Sequence, residues 1–187
     1  MARELFTRLK PARPLIPEGN EVNHKVCLLL DTSFSMNDVD DYSHKDSGCR
    51  RRIELLREAI DLIPNVTRLK AYSFNSSVQS LEDPRQVPDP SGSTDMTEAF
   101  RRAKADGFTG AVLITDGWPN NPSTALLAAQ GLVLDIVYIG PAPTPDFLNE
   151  LARATSGTLQ IGELKNPKLL ADKITALLPA PGGAIQV

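Results

Sequence analysis

Two strand-length stretches of the chain read as apolar without interruption, Val26-Cys27-Leu28-Leu29-Leu30 and Ala111-Val112-Leu113-Ile114. Runs of this kind, rather than alternation, are what strands covered on both faces of a parallel sheet require. Between them the period changes to that of a helix. Over 51–63, Ile53, Leu56, Ile60 and Ile63 fall on one face, and Pro64-Asn65 stops the pattern. The remaining segments read as strands over 67–74 and 78–81, a helix over 95–105, a strand over 110–115, and a helix over 122–130. A strand over 132–139 ends at Pro141 and Pro143. A helix over 145–155 follows, with Thr144 as its predicted N-cap, then a strand over 158–161. The last helix, 167–178, opens on Pro167 and carries Leu169, Leu170, Ile174, Leu177 and Leu178 as its apolar stripe.

Strands alternating with helices of about ten residues predict one doubly wound α/β domain with a mostly parallel sheet and helices on both faces. The predicted bounds are 23–178. Residues 1–22, with Pro11, Pro14, Pro17 and Gly19, read as an irregular arm, and 179–187 as a flexible tail. Residues 83–93, carrying Pro84, Pro88, Pro90 and Gly92, read as a long loop.

Composition narrows the function classes. At 187 residues with 41% hydrophobic side chains the chain has enough material for a core. A net charge of −3 gives no basic footprint for nucleic acid or an anionic membrane. No apolar run reaches the ~18 residues of a membrane helix, and Met1–Lys10 lacks the apolar centre of a signal peptide. The expectation is a cytoplasmic protein in which Cys27 and Cys49 are free thiols.

The chemistry concentrates where the first apolar run ends, at Asp31-Thr32-Ser33-Phe34-Ser35. A carboxylate and two hydroxyls at i, i+2 and i+4 stand at the carboxyl end of a strand, where open α/β sheets hold ligands. Hard oxygen donors suit Mg²⁺, Mn²⁺ or Ca²⁺; the same residues are also ordinary turn formers. A second strand ends in Asp116-Gly117, and Ser91-Gly92-Ser93-Thr94-Asp95 lies between the two. Asp31-x-Ser33-x-Ser35, Thr94 after a Gly-containing turn, and Asp116 closing a later strand together resemble the metal-ion-dependent adhesion site of the von Willebrand factor type A family. The resemblance runs over about 25–178 and includes Ala71-Tyr72-Ser73-Phe74-Asn75, Leu134 to Gly140, and Phe147 to Gly157.

The resemblance implies a Rossmann-like fold in a stand-alone, intracellular domain. It also implies that Ser33 and Ser35 bind a divalent cation, Mg²⁺ or Mn²⁺ ahead of Ca²⁺, through their hydroxyls. Thr94 is implied as a ligand whose distance changes with state. Asp31 and Asp116 mostly accept hydrogen bonds from the ligands and waters. The implied role is non-enzymatic: an open coordination position receives an Asp or Glu of a protein partner, within a multiprotein assembly. Two other readings stay open, a scaffold that does not use the metal and a Mg²⁺-dependent phosphohydrolase with Asp31 as nucleophile. Against the second, position 33 is Ser where such chemistry wants a second carboxylate, and the chain has no Gly-x-Ser-x-Gly elbow or Walker loop. His24 and His44 read as solvated surface residues.

Two features depart from the family pattern. Residues 37–50 form an insertion with Asp38, Asp40, Asp41 and Asp46, which reads as a solvated acidic loop or a filter on approaching partners. It is not a helix–loop–helix calcium site, since Ser43 stands where that loop needs Gly. Phe34, between the two serines, and Trp118 are candidate apolar anchors on the rim of the partner-binding face, or residues folded back beneath it.

Overall fold

The computed structural model describes residues 25–39, 50–162 and 164–179. The predicted arm, His24, Asp40, Asp41, His44, Asp46, Cys49 and the tail beyond 179 lie outside the described residues.

Among the described residues six strands form one sheet: β1 (Val26–Asp31), β2 (Ala71–Phe74), β3 (Val78–Leu81), β4 (Gly110–Thr115), β5 (Val133–Tyr138) and β6 (Leu159–Ile161). The spatial order is β3-β2-β1-β4-β5-β6, with every pair parallel except β2–β3. Among the described residues five α-helices accompany them: α1 (Arg52–Asp61), α2 (Met96–Ala105), α3 (Pro122–Ala129), α4 (Asp146–Ala154) and α5 (Pro167–Leu177). This is the doubly wound α/β layout that the strand–helix alternation predicts.

Successive residues of β1 enter different cores. Cys27 and Leu29 pack with α2, α3 and α4, while Leu28 and Leu30 pack with α1 and α5. β4 divides in the same way, with Ala111 and Leu113 on one side and Val112 and Ile114 on the other. Side chains alternate across a strand, so a strand with two covered faces has no position where a polar residue is free of penalty. That is why these runs are apolar throughout. Each fully buried Leu contributes about 1.5–3 kcal/mol relative to an exposed one, and the central strands hold the site's framework rigid.

Three local expectations are corrected. β2 begins at Ala71 rather than 67: Asn65 adopts a left-handed conformation (φ 55°) and a 3-10 turn over Val66–Arg68 takes up the preceding residues. Thr144 does not cap α4. Pro145 occupies that position with extended backbone and no side-chain cap, and Asp146 supplies a negative charge to the first turn. On α5, Leu170 and Ile174 are buried four residues apart, but Leu169, one step around the helix, is 47% exposed. Cys27 is a buried free thiol, its pKa pushed up to about 12 chiefly by burial.

Candidate metal centre

β1 and β4 are neighbours, with Leu30 opposite Ile114, so their carboxyl ends deliver Asp31 and Thr115 side by side. The Thr115 hydroxyl donates to Asp31 Oδ2 at 2.6 Å, and the Ser33 amide donates to Asp31 Oδ1 at 2.8 Å. The second contact is the local turn that an Asp favours over two residues. Asp31 is thus fully buried against neutral donors. Burial, and then the charge of Asp116, push its carboxyl up to about 6, against the pull of the Ser33 and Thr115 hydrogen bonds.

The turn that follows is fixed from two sides. The Thr32 amide and hydroxyl both donate to Phe74 O at 2.8 and 3.1 Å, tying the turn to β2. The Phe34 amide donates to Gly92 O at 3.1 Å and the Ser91 amide to Thr32 O at 2.9 Å, tying it to the 91–94 loop. Gly92 has φ 66°, a left-handed conformation that favours glycine over any residue with a Cβ.

Held in this way, Ser33 Oγ and Ser35 Oγ lie 3.2 Å apart, and Ser35 Oγ donates to Asp116 Oδ1 at 2.8 Å. Asp116 is also buried. Burial raises its pKa, opposed by the Arg52 guanidinium and by Ser35. Arg52 Nη1 meets Asp116 Oδ2 at 2.8 Å, Ser35 O at 3.2 Å and Asp38 Oδ2 at 3.4 Å, while its amide donates to Asp38 O at 3.1 Å.

Of the five residues singled out in the sequence, Ser33, Ser35 and Asp116 are joined through side-chain hydrogen bonds, and Asp31 joins through the Ser33 amide. Thr94 is half-buried and connects through its backbone: its amide donates to Asn120 Oδ1 at 3.1 Å, and the Asn120 amide donates to Thr94 O at 2.9 Å. No hydrogen bond links the Thr94 hydroxyl to the other four side chains. Phe34 (67% exposed) and Trp118 (56% exposed, stacked on Phe147 at 6.1 Å) both lie in the open rather than folded beneath the loop.

Three residues of the network went unnoticed in the sequence: Thr115, Asn120 and Arg52. Arg52 alone left a signal. Arg50-Arg51-Arg52 stands at the start of a helix, where the macrodipole disfavours cations. Such a run needs a local anion to explain it, and Arg52 has Asp116 while Arg51 has Glu54.

The donor chemistry suits a small hard cation. With bonds of about 2.0–2.1 Å, adjacent oxygens around a six-coordinate Mg²⁺ stand about 3 Å apart, close to the Ser33–Ser35 spacing. Among the described residues no three His, Cys, Asp or Glu side chains gather as a metal cluster. The donors at this edge are therefore hydroxyls backed by carboxylates, and hydroxyls leave a bound ion poorly neutralised.

No protein-family profile and no curated protein matches the chain. Among solved structures it is similar to a von Willebrand factor type A protein from Catenulispora acidiphila, at 20% identity and a TM-score of 0.56. The match covers 81% of this chain and 41% of that protein, so the chain spans less than half of its relative's length. Among the described residues no helix is long and apolar enough to cross a membrane. With its sheet order and its helices on both faces, the chain has the von Willebrand factor type A fold.

Proposed function

We propose that the chain is a metal-dependent protein-interaction module. In this reading Ser33, Ser35 and Thr94 hold a Mg²⁺ or Mn²⁺ ion, Asp116 orients the Ser35 hydroxyl, Asp31 orients the Ser33 backbone, and the acidic side chain of a protein partner completes the coordination. The observation that carries it is the pair of serine hydroxyls 3.2 Å apart, one of them donating to a buried carboxylate. Ser35 donates its hydroxyl hydrogen bond to Asp116 and so turns lone pairs outward; Asp31 gives the Ser33 backbone its direction. Mg²⁺ or Mn²⁺ suits this compact set better than Ca²⁺, which takes six to eight oxygens at longer range. When bound, the ion supplies an incompletely neutralised positive charge that attracts a carboxylate. Phe34, between the two serines, and Trp118, two residues past Asp116, are exposed apolar surface suited to anchoring a partner segment. No catalytic residue is assigned: the position two beyond Asp31 is a serine, which is no acid or base near neutral pH. Placement in the cytoplasm and in a multiprotein assembly belongs to the same proposal.

Thermal melting in Mg²⁺, Mn²⁺ and EDTA, for wild type and Ser35→Ala, tests it. At 100 times its dissociation constant the ion stabilises by about 2.7 kcal/mol, a shift of roughly 5–10 °C for a domain of this size. A shift in wild type that Ser35→Ala loses is the expected result. No shift in either, together with partner binding unaffected by EDTA, favours a metal-free scaffold. That second reading draws on one observation, the Arg52 guanidinium already set against Asp116.

A further inference from the structure

We propose that Arg52 is a resident cation of this centre that competes with the divalent ion for Asp116 and thereby sets the metal affinity. The inference rests on the metal reading above. The Arg52 side chain is 7% exposed and that of Asp116 is 1% exposed, so their 2.8 Å contact is withdrawn from water and weakly screened. Asp116 spends one oxygen on Ser35 and the other on Arg52. A dication arriving at the Ser33–Ser35 hydroxyls therefore meets a carboxylate already compensated, with a guanidinium on its far side.

The backbone keeps Arg52 there. Its amide is pinned to Asp38 O at 3.1 Å, and the next residue back, Arg51, holds Asn37 Oδ1 at 3.0 Å. The position is the first of α1, where a helix disfavours positive charge, so the contact with Asp116 offsets an unfavourable placement. Asp38 Oδ2 at 3.4 Å and Ser35 O at 3.2 Å offer the guanidinium acceptors to retain when the ion draws on Asp116. Arg52 thus stabilises the centre without metal and opposes metal entry, whereas a merely structural arginine does only the first.

Calorimetric titration with Mn²⁺, alongside melting in EDTA, separates the two roles in wild type, Arg52→Gln and Arg52→Lys. Arg52→Gln is expected to bind Mn²⁺ about tenfold or more tightly while melting lower in EDTA. Arg52→Lys, with a shorter single-point charge, is expected to lie between it and wild type. If Arg52→Gln does not fold in EDTA, Mn²⁺ should restore its folded signal, because the dication replaces the missing charge. Binding by the variant but not by wild type also supports the inference. If wild type binds and both variants bind equally well or more weakly, the competition is overturned and the metal site stands. If neither wild type nor variants bind, both fall.

Discussion

The ends of β1 and β4 bury a carboxylate each, and they manage that charge in opposite ways. Asp31 is surrounded by neutral donors, the Ser33 amide and the Thr115 hydroxyl, and its carboxyl rises to about 6. Asp116 is given a guanidinium, which opposes the upward push of burial. Hydrogen bonds supply direction without cancelling charge; an ion pair cancels charge but fixes where a second cation has to compete. One strand end therefore shapes the loop, and the other carries a compensated charge.

The largest expected effect breaks the charged side of this comparison. Arg52→Ala leaves Asp116 buried without its cation and should destabilise the metal-free protein by about 3–5 kcal/mol, read by urea unfolding in EDTA. An effect below about 1 kcal/mol would mean that the pair is solvated in solution.

The uncompensated side is read by pH. The folded-state pKa of Asp31 lies above its unfolded value, near 3.8, so the folded protein binds this proton more tightly. Its contribution to stability is full below pH 4 and is lost as pH rises through about 6. In EDTA, wild type should lose about 3 kcal/mol relative to Asp31→Asn over that interval. Parallel stability curves for the two proteins would show that Asp31 keeps an ordinary pKa.

Thr115→Val sharpens the same point. It removes the hydroxyl donor to Asp31 Oδ2 without leaving a large cavity, and should destabilise by about 1.5–3 kcal/mol at pH 7, where the acceptor left without it is charged. At pH 4, with Asp31 protonated, the loss should be smaller; an equal loss at both would assign it to packing alone. The smallest effect is expected outside both strand ends. Phe34→Ala with Trp118→Ala should change stability by no more than about 0.5 kcal/mol per site, since both side chains are exposed. The pair should leave the Mn²⁺ affinity unchanged yet weaken capture of an acidic partner; an unchanged partner affinity would remove them from the binding face.

Much of this arrangement was legible in the chain. Uninterrupted apolar runs marked β1 and β4 because both faces of those strands are covered, and Asp31 and Asp116 were visible as the first charges after those runs. Boundaries were less legible. The start of β2 depended on the left-handed Asn65, and the cap of α4 on a proline that keeps its own backbone extended. The braces of the site were hidden for a different reason. Thr115 reads as the last residue of a strand and Arg52 as one arginine of three, until their partners 84 and 64 positions away are brought up to them.

The sequence by itself determined the elements, the doubly wound class and the residue types at the carboxyl edge, because periodicity and turn chemistry act over a few neighbours. Only the tertiary structure decided which carboxylate is braced by neutral donors and which by a cation. Burial, dielectric and a 2.8 Å ion pair are properties of segments far apart in the chain, and they exist only after β1, β4 and α1 have packed together.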